Sequence, residues 1–156
     1  MKVEQQESLS TATFTATHLV EVSAIESAAA FMPWPEKLIQ QCIRSDYINH
    51  VLLHEDVVVG YSLCSTGAGE AHLQNIVVSP EKQGLGWGHW LLHQTVTELK
   101  QADLQRLFLE VRASNLPAIS LYQRYGFENI GLRKDYYEAP VGREDAYVYV
   151  LELSDS

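Results

Sequence analysis

At 156 residues, 46% of them hydrophobic and 20% charged, the chain has the size and make-up of one soluble domain that buries its core without disulfides or a structural metal. Its formal charge of -9 argues against nucleic acid as partner, since phosphate neutralisation needs Lys and Arg in excess, and favours a basic ligand. No apolar run approaches the roughly 20 residues of a membrane span, residues 1–10 hold no signal-peptide core, and Cys42 and Cys64 read as free, core-filling thiols of a reducing cytoplasm.

No repeat, low-complexity segment or linker divides the sequence, so 1–156 reads as a single domain with disorder expected at 1–10 and 154–156. Threonines alternating around Phe14 predict a strand over 11–17, and Leu19, Val22 and Ile25 predict a helix over 18–30. Phe31, Met32, Pro33 and Trp34 interrupt. Pro35 then opens a second helix with an apolar face of Leu38, Ile39, Cys42 and Ile43, ending near Arg44. Strands over 47–54 and 57–65 flank Glu55 and Asp56, a polar break suited to a tight hairpin, and 70–78 supplies a third. A helix over 87–101, a strand over 105–111, a helix over 116–125 and strands over 127–137 and 145–153 complete a mixed α/β order.

The most informative stretch joins the third of these strands to the third helix. Ile76, Val77 and Val78 end the strand, and Gln83, Gly84, Leu85, Gly86, Trp87 and Gly88 lead into the helix. Glycines let backbone N–H groups approach a ligand closely, and a helix N-terminus offers unpaired donors and a partial positive charge. A phosphate-bearing ligand is the expected occupant. The spacing is G-x-G-x-G, not the G-x-G-x-x-G of a dinucleotide fold. His50 with His54, and His89 with His93, are spaced four apart. HWLLH, however, lacks the glutamate of H-E-x-x-H, and no third ligand is evident, so no metal is expected. Neither Cys64 nor Ser114 sits in a nucleophile motif, which favours direct transfer over a covalent intermediate.

Gln83, Gly86 and Gly88 fit the Q/R-x-x-G-x-G/A loop of the GCN5-related N-acetyltransferases, and over about 31–151 the chain resembles the ribosomal-protein-alanine branch of that family. The resemblance is carried by Phe31 to Trp34, by Asn75 to Val78, by LEVRASN at 109–115, by 118–127 and by YYEAPVGREDA at 136–146. It departs from the branch in having Gly84 and Leu85 where arginines are usual, and in Met32 inserted in the Phe-Pro-Trp run. The first departure shifts cofactor binding towards backbone donors.

The resemblance implies a mixed sheet of about six to seven strands, splayed between strands 4 and 5 and flanked by about four helices, with acetyl-coenzyme A between the splayed strands. The pantetheine arm would pair with the backbone of Ile76, Val77 and Val78. The diphosphate would lie on residues 83–89 (Gln83, Gly84, Leu85, Gly86, Trp87, Gly88 and His89), with the Trp87 side chain turned onto apolar surface and Asn115 bonding the cofactor. Glu110 would be the general base, through a water or with a pKa raised by partial burial. An α-amine near ~8 is far easier to deprotonate than a lysine near ~10.4. Tyr122, one helix turn past Asn115, would protonate the departing thiolate. Phe31, Trp34, Tyr136, Tyr137, Glu144 and Asp145, with Met32, Pro33 and Glu138 nearby, would line the acceptor groove. The implied acceptor is the basic N-terminal peptide of small-subunit ribosomal protein eighteen, with alanine first and aromatic and arginine residues after it, modified in the cytoplasm by a monomer. Two other readings stay open: acetylation of lysine or a small-molecule amine, and a weakly catalytic acyl-coenzyme A sensor.

Overall fold

The computed structural model describes residues 8–154. These form seven strands, β1 (Leu9–Thr13), β2 (Tyr47–His54), β3 (Val57–Gly67), β4 (Glu70–Val78), β5 (Arg106–Arg112), β6 (Glu128–Glu138) and β7 (Arg143–Glu152). Four helices accompany them: α1 (Leu19–Ala29), α2 (Glu36–Gln41), α3 (Trp87–Gln101) and α4 (Leu116–Tyr125). One sheet holds all the strands in the order β1-β2-β3-β4-β5-β7-β6, and the pair β4 and β5 is parallel where its neighbours are antiparallel. Among the described residues no helix is long and apolar enough to cross a membrane.

Local chemistry accounts for most of these elements. Glu55 and Asp56 both take positive φ, 52° and 65°, as the two-residue turn between β2 and β3 requires. In β5 the apolar Leu107, Leu109 and Val111 alternate with Phe108, Glu110 and Arg112, so one face enters the core and the other is left partly exposed. Leu92, Val96 and Leu99 of α3 cover the buried face of β5 together with Leu73, Tyr122 and Phe127. Val22 and Ile25 of α1 pack with Ile39, Val51, Tyr61 and Leu63 in a second cluster. Each such side chain contributes about 1.5–3 kcal/mol of burial. Cys42 and Cys64 are both buried in these clusters, and burial pushes the Cys64 thiol up to about 12.

Several boundaries differ from the sequence reading. The first strand is β1, earlier than 11–17, because Leu9 pairs with His54 and is buried beside Leu52 and Trp87. Residues 8–10 are therefore ordered, whereas 1–7 and 155–156 lie outside the described residues. The chain turns instead at Thr15, whose N–H donates to His18 Nδ1 at 3.0 Å as a 3-10 turn begins. Helix α2 stops at Gln41, short of Arg44, where the Asn49 amide donates to the Cys42 carbonyl at 2.8 Å.

The consequential irregularity lies in β4. Opposite it, Leu63 pairs with Asn75 and Cys64 with Leu73, leaving Gln74 as an extra residue, a bulge. The parallel ladder with β5 runs only from Glu70 opposite Arg106 to Leu73 opposite Leu109, and it ends at that bulge. Beyond it β4 stays with β3 and β5 stays with β7, so the two strands part as expected. A close approach fixes the parted end: a Cβ on Gly60 would lie 2.7 Å from the Val77 carbonyl oxygen, a backbone atom that cannot swing aside. Gly60→Ala is therefore expected to cost about 1–3 kcal/mol by overpacking, read as a lower urea midpoint at unchanged m-value.

Candidate active site

A cleft of about 750 Å³ opens where β4 and β5 separate. Of the residues singled out from sequence, it is lined by Phe31, Trp34, Ile76, Val77, Val78, Gln83, Glu110, Asn115, Tyr122, Tyr137 and Glu144, together with Met32. Gly84, Leu85, Gly86, Trp87, Gly88 and His89 continue from Gln83 along the turn into α3 and do not line the cleft wall.

That turn is built for exposed main-chain donors. Gly84 and Gly86 take φ of 79° and 84°, a left-handed backbone that favours glycine, and no side chain caps the start of α3. The N–H groups that open a helix have no partner within it, so those of α3 are presented outward. A Cβ on Gly84 would meet nothing within 4 Å, which leaves open space at this backbone for a bulky anion. Gln83 turns its amide back to the Val78 carbonyl at 2.9 Å and so ties the turn to the end of β4. Trp87 is 1% exposed and packs against Leu9, Leu52, Val59 and Leu91, with the His54 ring 4.7 Å off. His89 and His93 share a helix face, as the spacing predicted, and both rings meet Tyr125, at 5.5 and 6.0 Å.

Glu110 is the first β5 residue beyond the parallel ladder. Its side chain keeps 8% exposure and pairs with His72 of β4 through Oε2 and with Arg133 of β6 through Oε1, at 3.4 Å to the Arg133 Nε. The expectation of a raised pKa is corrected here. Burial does raise the carboxyl, but the hydrogen bond and charge of His72 and the charge of Arg133 together hold it below the ordinary glutamate value.

Tyr122 is 7% exposed, packs in a tilted arrangement on Phe127 at 5.5 Å and lines the same cleft, with burial and then Tyr137 and Cys64 raising its phenol. Seven residues separate it from Asn115, about two helical turns rather than the one expected. Asn115 caps α4 by accepting from the Ala118 N–H at 3.3 Å, with Pro117 in the first turn.

The opposite wall is organised by Arg112. Its guanidinium lies 4.5 Å from the Tyr137 ring centroid and 6.0 Å from that of Phe31, and donates to Glu144 at 3.2 Å and the Glu138 carbonyl at 2.7 Å. Glu144 also accepts from the Ser114 N–H at 2.8 Å, and the Ser114 side chain first, then this N–H, hold its carboxyl low. Burial first, then Glu110, pushes the Tyr137 phenol up to about 12. Tyr136 and Asp145 stand outside the cleft. Tyr136 packs edge-on against Tyr137 and beneath Arg133, while the Asp145 carboxylate accepts from the Asp135 N–H and steadies the irregular stretch of β6.

Sequence reasoning missed His72, Arg133, Arg112 and a buried network around Glu26. Glu26, 1% exposed at the cleft floor, accepts from Tyr61 at 2.8 Å, Asn75 at 3.2 Å and the Trp34 N–H at 2.9 Å. One signal was available: Glu26 is a carboxylate beside Val22 and Ile25 on the apolar face of α1.

Residues 17–127 match the sequence model of the acetyltransferase (GNAT) family, and the chain belongs to that family. Acetyltransferases of this family use acetyl-coenzyme A. Within it, the chain is 38% identical to the [ribosomal protein bS18]-alanine N-acetyltransferase of Haemophilus influenzae over 83% of its own length and 88% of that protein. The crystal structure of the ribosomal-protein-S18-alanine N-acetyltransferase from Escherichia coli superposes with a TM-score of 0.90 at 34% identity, covering 95% of this chain and 96% of that one. A Salmonella typhimurium protein solved with its cofactor acetyl-coenzyme A shares the fold at TM-score 0.80 and 16% identity, covering 96% of both chains.

The lowered Glu110 carboxyl has a consequence for stability. A folded-state value below the unfolded one stabilises the protein above the ordinary glutamate range, and that contribution disappears as pH falls through the lower folded value. Replacing Glu110 with Gln is expected to shrink the difference in urea midpoint between neutral pH and about pH 3.5, because one depressed carboxylate no longer takes up a proton on acidification.

Proposed function

We propose that this protein acetylates the α-amine of the N-terminal alanine of ribosomal protein bS18, acting as a cytoplasmic monomer with acetyl-coenzyme A as donor. The observation that carries the reading is the parting of β4 and β5 at the Gln74 bulge, which leaves a cleft lined by β4 from Leu73 to Val78, by Gln83 where the glycine turn begins, and by Glu110 and Tyr122. The relatives named above support the choice of acceptor.

In this reading the amides of the pantetheine arm pair with Ile76, Val77 and Val78 on the side that β5 has vacated. The diphosphate oxygens meet the main-chain donors of residues 83–89 at the start of α3, where the helix partial charge favours an anion. Asn115 presents its amide NH₂ to the cofactor while its oxygen caps α4. Glu110 removes a proton from the acceptor amine, directly or through one water, and the neutral amine attacks the thioester carbonyl. The C–S bond then breaks, the Tyr122 phenol, protonated at neutral pH, gives its proton to the leaving thiolate, and the second proton that the nitrogen sheds on becoming an amide restores the phenol. Phe31, Trp34 and Tyr137 form the apolar part of the acceptor wall, Glu144 its acidic part, and Tyr136 and Asp145 flank it. The charge of -9 steers a basic peptide towards it.

Incubation with acetyl-coenzyme A and a peptide beginning Ala-Arg-Tyr, followed by mass spectrometric location of the acetyl group, is expected to place it on the α-amine. Label confined to a lysine side chain would replace this reading with that of a lysine acetyltransferase. Tight cofactor binding without turnover would leave only a sensor. Glu110→Gln and Tyr122→Phe are each expected to lower kcat by roughly 10² to 10⁴ with cofactor affinity retained.

A further inference from the structure

Past the end of the parallel ladder, the partly exposed face of β5 carries two charged side chains, Glu110 and then Arg112, and both line the cleft. Two strand positions set them about 6.6 Å apart along β5. The Arg112 guanidinium is held by one nitrogen only. Its Nη1 donates to the Glu138 carbonyl at 2.7 Å and to Glu144 at 3.2 Å, which uses both hydrogens of that nitrogen, while the Tyr137 ring lies against the group at 4.5 Å. The N–H groups of Nε and Nη2 sit side by side on the other edge, and among the described residues they have no hydrogen-bond partner. The side chain keeps 22% exposure, so that edge is open to a ligand.

We infer that Arg112 positions the acceptor: the free edge of its guanidinium donates to the carbonyl oxygen of the peptide's first residue and so turns the α-amine towards Glu110. The inference rests on the reading of the cleft as a site for an N-terminal peptide. In such a peptide the first carbonyl oxygen is three bonds from the amine nitrogen, so a residue that grips the oxygen also fixes where the nitrogen lies. A lysine side chain carries no carbonyl so near its amine. Two parallel N–H groups in one plane suit an sp² oxygen, and the bonds to Glu138 and Glu144 with the Tyr137 contact hold the fork still before the peptide arrives. Charge permits the approach as well. Glu144 already offsets the guanidinium, so an incoming ammonium ion does not meet an unpaired cation. A residue that served only to clamp the end of β6 to the start of β7 would need Nη1 alone and would gain nothing from an open fork in the cleft.

The test is a double-mutant cycle between enzyme and peptide. Wild type, Arg112→Lys and Arg112→Met are each given the Ala-Arg-Tyr peptide and its analogue with a thioamide at the first residue, whose sulfur is the weaker hydrogen-bond acceptor. Lysine keeps a charge beside Glu144 without the planar fork, and calorimetric titration with acetyl-coenzyme A checks that each variant is folded. Both variants are expected to lose roughly ten- to a hundredfold in kcat/KM on the ordinary peptide, with cofactor affinity retained. The thioamide is expected to cost the wild type roughly fivefold or more and the variants less than about twofold, because the group that senses the oxygen is gone. An equal thioamide cost in all three proteins would overturn the contact and leave Arg112 as a clamp between β6 and β7. A wild type that binds acetyl-coenzyme A but does not label the α-amine of the ordinary peptide would instead remove the reading of the cleft, and this inference with it.

Discussion

The bulge at Gln74 is the constraint from which the rest of the molecule follows. A parallel pair of strands that stayed in register to the end would satisfy its own hydrogen bonds and leave no room for a ligand. One unpaired residue in β4, opposite the junction of Leu63 and Cys64, turns the strand away from β5 just past Leu73. The separation is then fixed from outside. Gly60 lets the Val77 carbonyl come close to β3, and the buried hydrogen bond between Ser62 and Thr95, at 3.0 Å, holds α3 to that same strand. The glycine turn before α3 is thereby set at the end of the cleft, so a sheet defect and a helix terminus become one site.

Burying polar groups at the cleft floor is costly unless all are satisfied, and here they are. Glu26 accepts three hydrogen bonds, one each from α1's neighbours Tyr61, Asn75 and Trp34, which belong to β3, β4 and the loop before α2. The network therefore couples the loop at Phe31 to Trp34 to the strand just beyond the bulge. Phe31 itself is 66% exposed, with the Arg112 guanidinium 6.0 Å from its ring centroid, so this wall of the cleft has a fixed base and a looser lip.

Fold and site were legible in the sequence to different depths. The hairpin at Glu55 and Asp56, the helix after Gly86 and the alternation of β5 announce themselves because each depends on residues close in sequence. Trp87 was read correctly as core for the same reason, lying on the apolar face of its helix. The first strand was misplaced because Leu9 is fixed by His54 and Trp87, both remote in the chain. His72 and Arg133 were missed on like grounds. Their meeting with Glu110 depends on the register of β4 against β5 and on β7 separating β5 from β6, and neither is written in local periodicity. The low carboxyl value of Glu110 was missed with them, since burial alone would have raised it.

The electrostatics of Glu110 bear on which amines can react. Although the chain carries a charge of -9, this carboxylate is paired with the Arg133 guanidinium and hydrogen-bonded to the His72 ring. Such surroundings keep the group ionised and make it a weak base. Under the proposed chemistry the cost of taking a proton from the acceptor rises by 1.36 kcal/mol for each unit of amine pKa. An α-amine near ~8 and a lysine near ~10.4 thus differ by about 3 kcal/mol before any contact with the groove is considered. That difference belongs to the amines and is the same for any base, so under the proposed chemistry proton affinity alone disfavours lysine and leaves the wall of Phe31, Tyr137 and Glu144 to choose among N-termini.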